Sequence, residues 1–234
     1  MEVVEGMEDV AIYVRCYQKE LARKSMKFLE RQPYPVKRLT HVGVWFERFL
    51  LGRVFNLDCR CVVLIDEDCF VFRPESLPEL VEYMRDSGYA ACGVPDGGVK
   101  GNPLNRSPIV PNLFLCAIDL ERLRCYAGKT PYIHECDYDR NRVYELPSFM
   151  DGSMHNFKRL WEVYYRFFYW MLAHGERILY LKPHSKLDGS LVEDHLGREF
   201  AIHAWFARRF DRPSVRDHIL AIWRYAHERF EGGN

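Results

Sequence analysis

The sequence predicts an α/β fold: a mixed, mainly parallel central sheet with helices on both faces, in a single domain. Three observations lead there. Strand-like and helix-like segments alternate from the start, as "VAIYVRC" (10–16) gives way to Leu21, Ala22, Ser25, Phe28 and Leu29 at helical spacing. The run "CVVLI" (61–65) is apolar without alternation, as expected of a strand covered on both faces. The 234 residues, 48% hydrophobic and 15% aromatic, suffice for one substantial core, and no repeat, low-complexity tract or linker divides them.

Taken in order, the first helix ends at the breaker "QPYP" (32–35), and "VKRL" (36–39) is a short strand candidate. Val42, Trp45, Phe46, Phe49 and Leu50 then predict a second amphipathic helix before the apolar strand, which completes a βαβαβ series. Ser76 and Glu79 have capping-box spacing at the head of a helix whose apolar face is Leu77, Leu80, Val81 and Met84. "YAACGV" (89–94) reads as a strand, and the Gly- and Pro-rich stretch 95–111 as a binding loop or lid. "LFLCAI" (113–118) is a further strand, with Asp119 placed to cap the helix "LERLRCY". A long helix is expected over 153–174, stopping at Gly175, because Phe157, Leu160, Trp161, Tyr164, Phe168, Met171 and Leu172 recur at helical spacing. Strands "RILYL" and "EFAIHAW" follow. A final helix carries Val215, Ile219, Ile222, Trp223, Ala226 and Phe230.

Lys plus Arg equals Asp plus Glu at 33 each, so no whole-molecule field collects a polyanion, and a dominant nucleic-acid role is not expected. The acidic opening "MEVVEGMEDV" has no signal-peptide pattern, and no apolar run approaches the roughly 20 residues that span a bilayer. A cytoplasmic protein is expected. The eight cysteines form no CxxC pair, which argues against a zinc ribbon or disulfide framework. The set His134, Cys136, Asp137 and Asp139 has no standard ligand spacing and is read as a loop coincidence.

The informative stretch is "CVVLIDEDCFVF" (61–72), where the apolar strand runs into Asp66, Glu67 and Asp68. Ligands of open α/β sheets bind beyond the carboxyl ends of the strands. Alternation along an extended chain would put Asp66 and Asp68 on one side and Glu67 on the other. Two converging carboxylates repel until a hard divalent cation joins them, and their oxygens, with those of a phosphate, suit Mg²⁺ or Mn²⁺. An isolated D-x-D is often only a strand end and a turn; its context here favours a site.

Several segments in order resemble the GT-A-fold nucleotide-sugar glycosyltransferases, most closely family 8. "VVLIDEDCFVFRPESLPEL" is similar to the family's strand, DxD motif and helix, and "PNLFLCAIDLERLR" to its Asn-led strand and following helix. "FMDGSMHNFKRL" resembles the D-x-x-x-x-N helix start, with Asp151 and Asn156 in the matching places, and "FAIHAWFARRF" the segment with the late metal-binding His. The likeness covers roughly residues 10–210, but Phe114 stands where the family usually has Gly, and Gly152 and Ser153 replace more polar residues.

The resemblance implies a metal-dependent transfer of a sugar from a nucleoside-diphosphate sugar to a glycan, lipid-linked, protein or small-molecule acceptor. It divides the chain into a nucleotide-binding half (about 1–95) and an acceptor-side half (about 96–234). Asp68 and His203 would bind Mn²⁺ or Mg²⁺, and Asp66 would contact the ion or the donor's ribose. Arg15 would meet the nucleotide, while Arg208 and Arg209 either close over the diphosphate or form a solvated basic turn. Asp151 would position the sugar or accept the acceptor's proton, according to whether transfer retains or inverts configuration, and Asn112 would bond to sugar hydroxyls. The alternatives are a sugar nucleotidyltransferase, disfavoured because "RCYQKELARK" lacks a Gly-rich phosphate loop, and a non-catalytic nucleotide- or glycan-binding protein.

Overall fold

A computed structural model describes residues 8–40, 54–96, 107, 109–127, 149, 162 and 164–232. The chain runs through β1 (Glu8–Cys16), α1 (Lys19–Phe28), β2 (Val36–Thr40), β3 (Cys59–Asp66), β4 (Cys69–Phe70), α2 (Ser76–Asp86), β5 (Ala91–Pro95), β6 (Pro111–Asp119) and α3 (Leu120–Ala127). It continues with α4 (Tyr165–Ala173), β7 (Ile178–Tyr180), β8 (Pro183–Lys186), β9 (Gly189–Glu193), β10 (Glu199–His203) and α5 (Pro213–Gly232). The strands form a six-stranded sheet, β2-β1-β3-β6-β5-β7, and a four-stranded sheet, β4-β10-β9-β8.

The large sheet is covered on both faces, and β3 shows why the run from Cys61 to Ile65 is apolar without alternation. Val62 and Leu64 pack with Leu120 and Leu123 of α3 and with Phe167 and Trp170 of α4. Cys61, Val63 and Ile65 pack on the opposite face with Ala22 of α1 and with Leu80, Val81 and Met84 of α2. A third cluster joins Leu21 and Phe28 of α1 to Phe70, Ile202, Ile219 and Ile222, and so seats α5 on the small sheet.

The expected parallel order holds for β1 with β2, β1 with β3 and β5 with β7. The sheet is mixed, as expected, because β6 is antiparallel to both β3 and β5. The reason lies in the connection: the Asp96 N–H donates to the Val110 carbonyl at 2.7 Å, so the chain leaves β5 and re-enters β6 at the same end. A parallel neighbour would need a crossover to the opposite end. This reversal brings Asn112, at the start of β6, to the carboxyl end of β3.

Local signals yield to tertiary partners at two further places. The Ser76–Glu79 capping box does not form: Ser76 Oγ donates to Asp194 Oδ2 at 3.0 Å, and Glu79 pairs with Arg198. The strand expected over 199–205 stops at His203, because Trp205 and Phe206 take left-handed φ values of 66° and 68°. Asp119 does cap α3, accepting the Arg122 N–H at 2.9 Å. The expected helix through Val42–Leu50, most of the 95–111 loop, the 134–139 set, Asp151, Asn156 and the first part of the 153–174 helix lie outside the described residues. No helix among the described residues is long and apolar enough to cross a membrane.

Candidate metal centre

At the carboxyl end of β3 the chain turns immediately, with Asp66 closing the strand and Glu67 and Asp68 forming a turn into β4. The convergence expected from alternation therefore comes from a turn. Parallel pairing sets Arg15 of β1 opposite Asp66, and its guanidinium lies 2.9 Å from Asp66 Oδ1. On the other side, the antiparallel pairing of β10 with β4 sets His203 opposite Cys69. His203 Nε2 consequently lies 3.1 Å from Asp68 Oδ1, across 135 residues of chain. One potential ligand atom from each of Asp66, Asp68 and His203 lies within 4.8 Å of the others.

The rest of Asp68 is held as firmly. Its Oδ2 accepts the Ala207 N–H at 3.2 Å and its carbonyl accepts the Ala204 N–H at 2.9 Å. Glu67 faces elsewhere: its Oε2 accepts the Tyr17 and Gln18 N–H groups at 2.7 and 2.6 Å. These donors sit at the amino end of α1, where the Gln18 side chain makes no cap, so a carboxylate from another element does the capping. Glu67 thus serves the helix, while Asp66 and Asp68 converge with His203 on the candidate ion site.

The electrostatics follow the same division. Burial pushes the Asp66 carboxyl above its ordinary range, against the pull of Arg15. Burial works the same way on Asp68, but the charge and hydrogen bond of His203 outweigh it and hold Asp68 below that range. Burial also pushes Glu67 up to about 8, against its two backbone hydrogen bonds. Asp66 Oδ1 is buried, faces the Arg15 guanidinium, and accepts no further hydrogen bond among the described residues. Two carboxylates and an imidazole form a hard, mixed O and N donor set that suits Mn²⁺.

The trio opens onto a cleft of about 370 Å³ lined also by Arg15, Tyr17, Glu67, Asn112, Glu162, Tyr164, Trp205, Phe206, Arg208 and Arg209. Arg208 and Arg209 stand on a short 3₁₀ turn, Ala207–Arg209, just beyond Phe206. The structure therefore gathers Arg15, Asp66, Asp68, Asn112, His203, Arg208 and Arg209 at one cleft. Asp151 falls outside the described residues.

Asn112 is committed on two sides: its Nδ2 donates to Asp96 Oδ1 at 2.5 Å and its Oδ1 accepts the Phe114 N–H at 3.0 Å. Asp96 is in turn bonded by the Tyr165 hydroxyl. Sequence reasoning missed Asp96, although an acid directly after "ACGVP" repeats the signal that marked Asp66. It also missed Trp205 and Phe206, which carry no local signal, because a left-handed Trp or Phe is set by tertiary context.

No protein-family model matches this chain, and no curated protein matches it significantly in sequence.

Proposed function

We propose that the chain is a GT-A-type, metal-dependent glycosyltransferase that moves a sugar from a nucleoside-diphosphate sugar to an acceptor hydroxyl. The observation that carries this reading is the convergence of Asp66, Asp68 and His203 within 4.8 Å at the carboxyl end of a central strand, in a cleft with Arg15, Arg208 and Arg209. Asp68 and His203 would hold the ion and Asp66 would bond to the ion or to a ribose hydroxyl. Bound there, Mn²⁺ or Mg²⁺ would act as a Lewis acid and offset the charge developing on the departing nucleoside diphosphate. The guanidinium groups of Arg208 and Arg209 match phosphate oxygens, and the charge of Arg15 favours the ionised form of Asp66 against burial. Asn112 retains one N–H and one lone pair, enough to bond to a sugar hydroxyl. Asp151 keeps the role of the acid near the reacting sugar on the strength of the resemblance.

A sugar nucleotidyltransferase is less well supported, because the N–H groups of Tyr17 and Gln18, which a phosphate loop would present there, are occupied by Glu67. A panel of nucleotide sugars with Mn²⁺, read by nucleoside-diphosphate release and by thermal shift, tests the proposal. Release from at least one donor, abolished by EDTA, is expected. Failure of every donor both to react and to stabilise the protein would refute it.

A further inference from the structure

Metal-binding histidines are usually oriented by a hydrogen bond from the ring nitrogen that does not touch the metal to a carboxylate or carbonyl. His203 departs from that arrangement. Its Nε2 faces Asp68, and its Nδ1 is buried without a hydrogen-bond partner among the described residues. The torsion that sets the plane of an imidazole is broad and roughly two-fold, so something else must hold this ring.

Two aromatic side chains stand in position to do so. Phe114 lies against the His203 ring with centroids 4.1 Å apart and planes 13° from parallel. Trp205 approaches it at 4.3 Å and 55°. Phe114 and Trp205 are themselves 5.6 Å apart, which places Trp205 beside the imidazole rather than across its far face. The clamp is braced, since Phe114 is fully buried in β6 and the Trp205 indole N–H donates to Ser190 Oγ at 3.0 Å. Trp205 also keeps its left-handed backbone, an unfavourable conformation for a large side chain that persists only where surrounding contacts impose it.

Resting on the metal-dependent reading above, we infer that Phe114 and Trp205 are positioning residues that hold the His203 imidazole toward the ion in place of a hydrogen-bonded outer shell. Phe114 fixes the plane of the ring and Trp205 blocks its swing. The bulky residue at 114, where the resemblance leads one to expect glycine, then has a physical purpose, because it supplies the flat surface that His203 lacks elsewhere.

The test uses Mn²⁺ alone, without a sugar donor, on the full chain. Phe114→Leu keeps an apolar filling but removes the flat face, and Trp205→Leu removes the side wall; each should weaken Mn²⁺ binding by calorimetry on the order of 10- to 100-fold, the usual effect of losing an outer-shell partner. Trp205→Phe, which keeps an aromatic wall, should bind like wild type. The His203 ring protons should be shifted upfield by the Phe114 ring current in the metal-free protein and should lose that shift in Phe114→Leu. Phe167→Leu, a core change in α4 under the opposite face of the large sheet, controls for general destabilisation and should leave Mn²⁺ affinity unchanged. If Phe114→Leu does not fold, the two Trp205 variants carry the test. Wild type that binds no Mn²⁺ would overturn the metal reading and the inference with it. Wild type that binds Mn²⁺ while Phe114→Leu and Trp205→Leu bind equally well would overturn the clamp alone.

Discussion

On the proposed glycosyltransferase reading, neutralising Asp68 should leave the protein folded and remove most transfer activity, whereas neutralising its neighbour Glu67 should be mild. Asp68 spends Oδ1 on His203 and Oδ2 on the Ala207 N–H. In Asp68→Asn the amide oxygen can keep the Ala207 bond while the NH₂ turns to His203 Nε2, which accepts it as a neutral imidazole. The rearrangement exchanges two charge-assisted hydrogen bonds for neutral ones and removes repulsion from Asp66, so the net change in stability should be about 1–2 kcal/mol. What disappears is the charge that holds the cation, and the imidazole lone pair is now diverted to the amide. By analogy with the loss of one preorganised donor to a developing charge, about 2.7–4 kcal/mol of barrier is at stake, a hundredfold or more in rate.

Glu67 differs because the Tyr17 and Gln18 N–H groups both donate to a single oxygen, Oε2. Glutamine offers that oxygen unchanged, and burial, which pushes the Glu67 carboxyl up to about 8, already works against its charge. Glu67→Gln should therefore cost no more than about 1 kcal/mol and leave turnover near wild type. Matched thermal melts and nucleoside-diphosphate release at saturating Mn²⁺ compare the two variants. Near-normal turnover in Asp68→Asn, or greater damage from Glu67→Gln, would show that the division of roles within the triplet is wrong.

Wild type in Mn²⁺ at a hundred times its dissociation constant should gain about 2.7 kcal/mol, a rise in Tm of several degrees that EDTA reverses; an unchanged melt would count against an ion site. Gly93→Ala should destabilise by about 1–3 kcal/mol in a denaturant titration, because a Cβ there would lie 2.9 Å from both the Leu115 carbonyl oxygen and Pro111 Cβ; a neutral result would mean that β5 and β6 separate more easily than the close approach implies. Burial works against ionising Asp194, but hydrogen bonds from the Arg198 side chain and N–H, the Leu196 N–H and Ser76 hold its carboxyl below the ordinary range. Its contribution to stability is therefore full above about pH 4, the usual pKa of a free carboxyl, and is lost as the pH falls through its lower folded value. An acid-unfolding profile of Asp194→Asn should lack that part of the acid limb, and a profile parallel to wild type would contradict the assignment.

The large sheet was legible because its signals are local: β3 is apolar on both faces, and the helical stripes of α1 and α2 end where their apolar spacing ends. The direction of β6 was not, since nothing within "LFLCAI" encodes whether its neighbour runs parallel; the return of the chain at Asp96 and Val110 decides it. The small sheet was largely invisible, because β4 has two residues and β8 is the polar "PHSK", and neither carries a period. Within the site, Asp66 and Asp68 were legible from a strand end, whereas the capping role of Glu67 depends on the amino end of α1. His203 was found through resemblance, and Phe114, its closest stacking partner, entered only as a departure from pattern.

The short β4 explains how a two-residue strand can govern the site. Asp68 leads directly into it, and β4 pairs with β10 through Phe70 with Ile202 and Cys69 with His203. The Ala204 N–H on the Asp68 carbonyl closes the same ladder. Successive residues of a strand face opposite ways, so a slip of one residue in this pairing would turn His203 away from Asp68 and put Ile202 or Ala204 in its place. The apolar neighbours oppose that slip: Phe70 and Ile202 are fully buried against Leu21, Phe28, Ile219 and Ile222. The packing of α1 and α5 on the small sheet is therefore what fixes the distance between two candidate ligands 135 residues apart. It follows that Phe70→Ala, an apolar change in the small-sheet cluster, should weaken Mn²⁺ binding beyond what its loss of about 3–5 kcal/mol of core stability explains. The measurement is Mn²⁺ titration well below the variant's own melting temperature, where the unfolded fraction is negligible. Wild-type affinity in that folded variant would mean that the turn at Glu67 and Asp68, rather than the β4–β10 register, sets the geometry of the site.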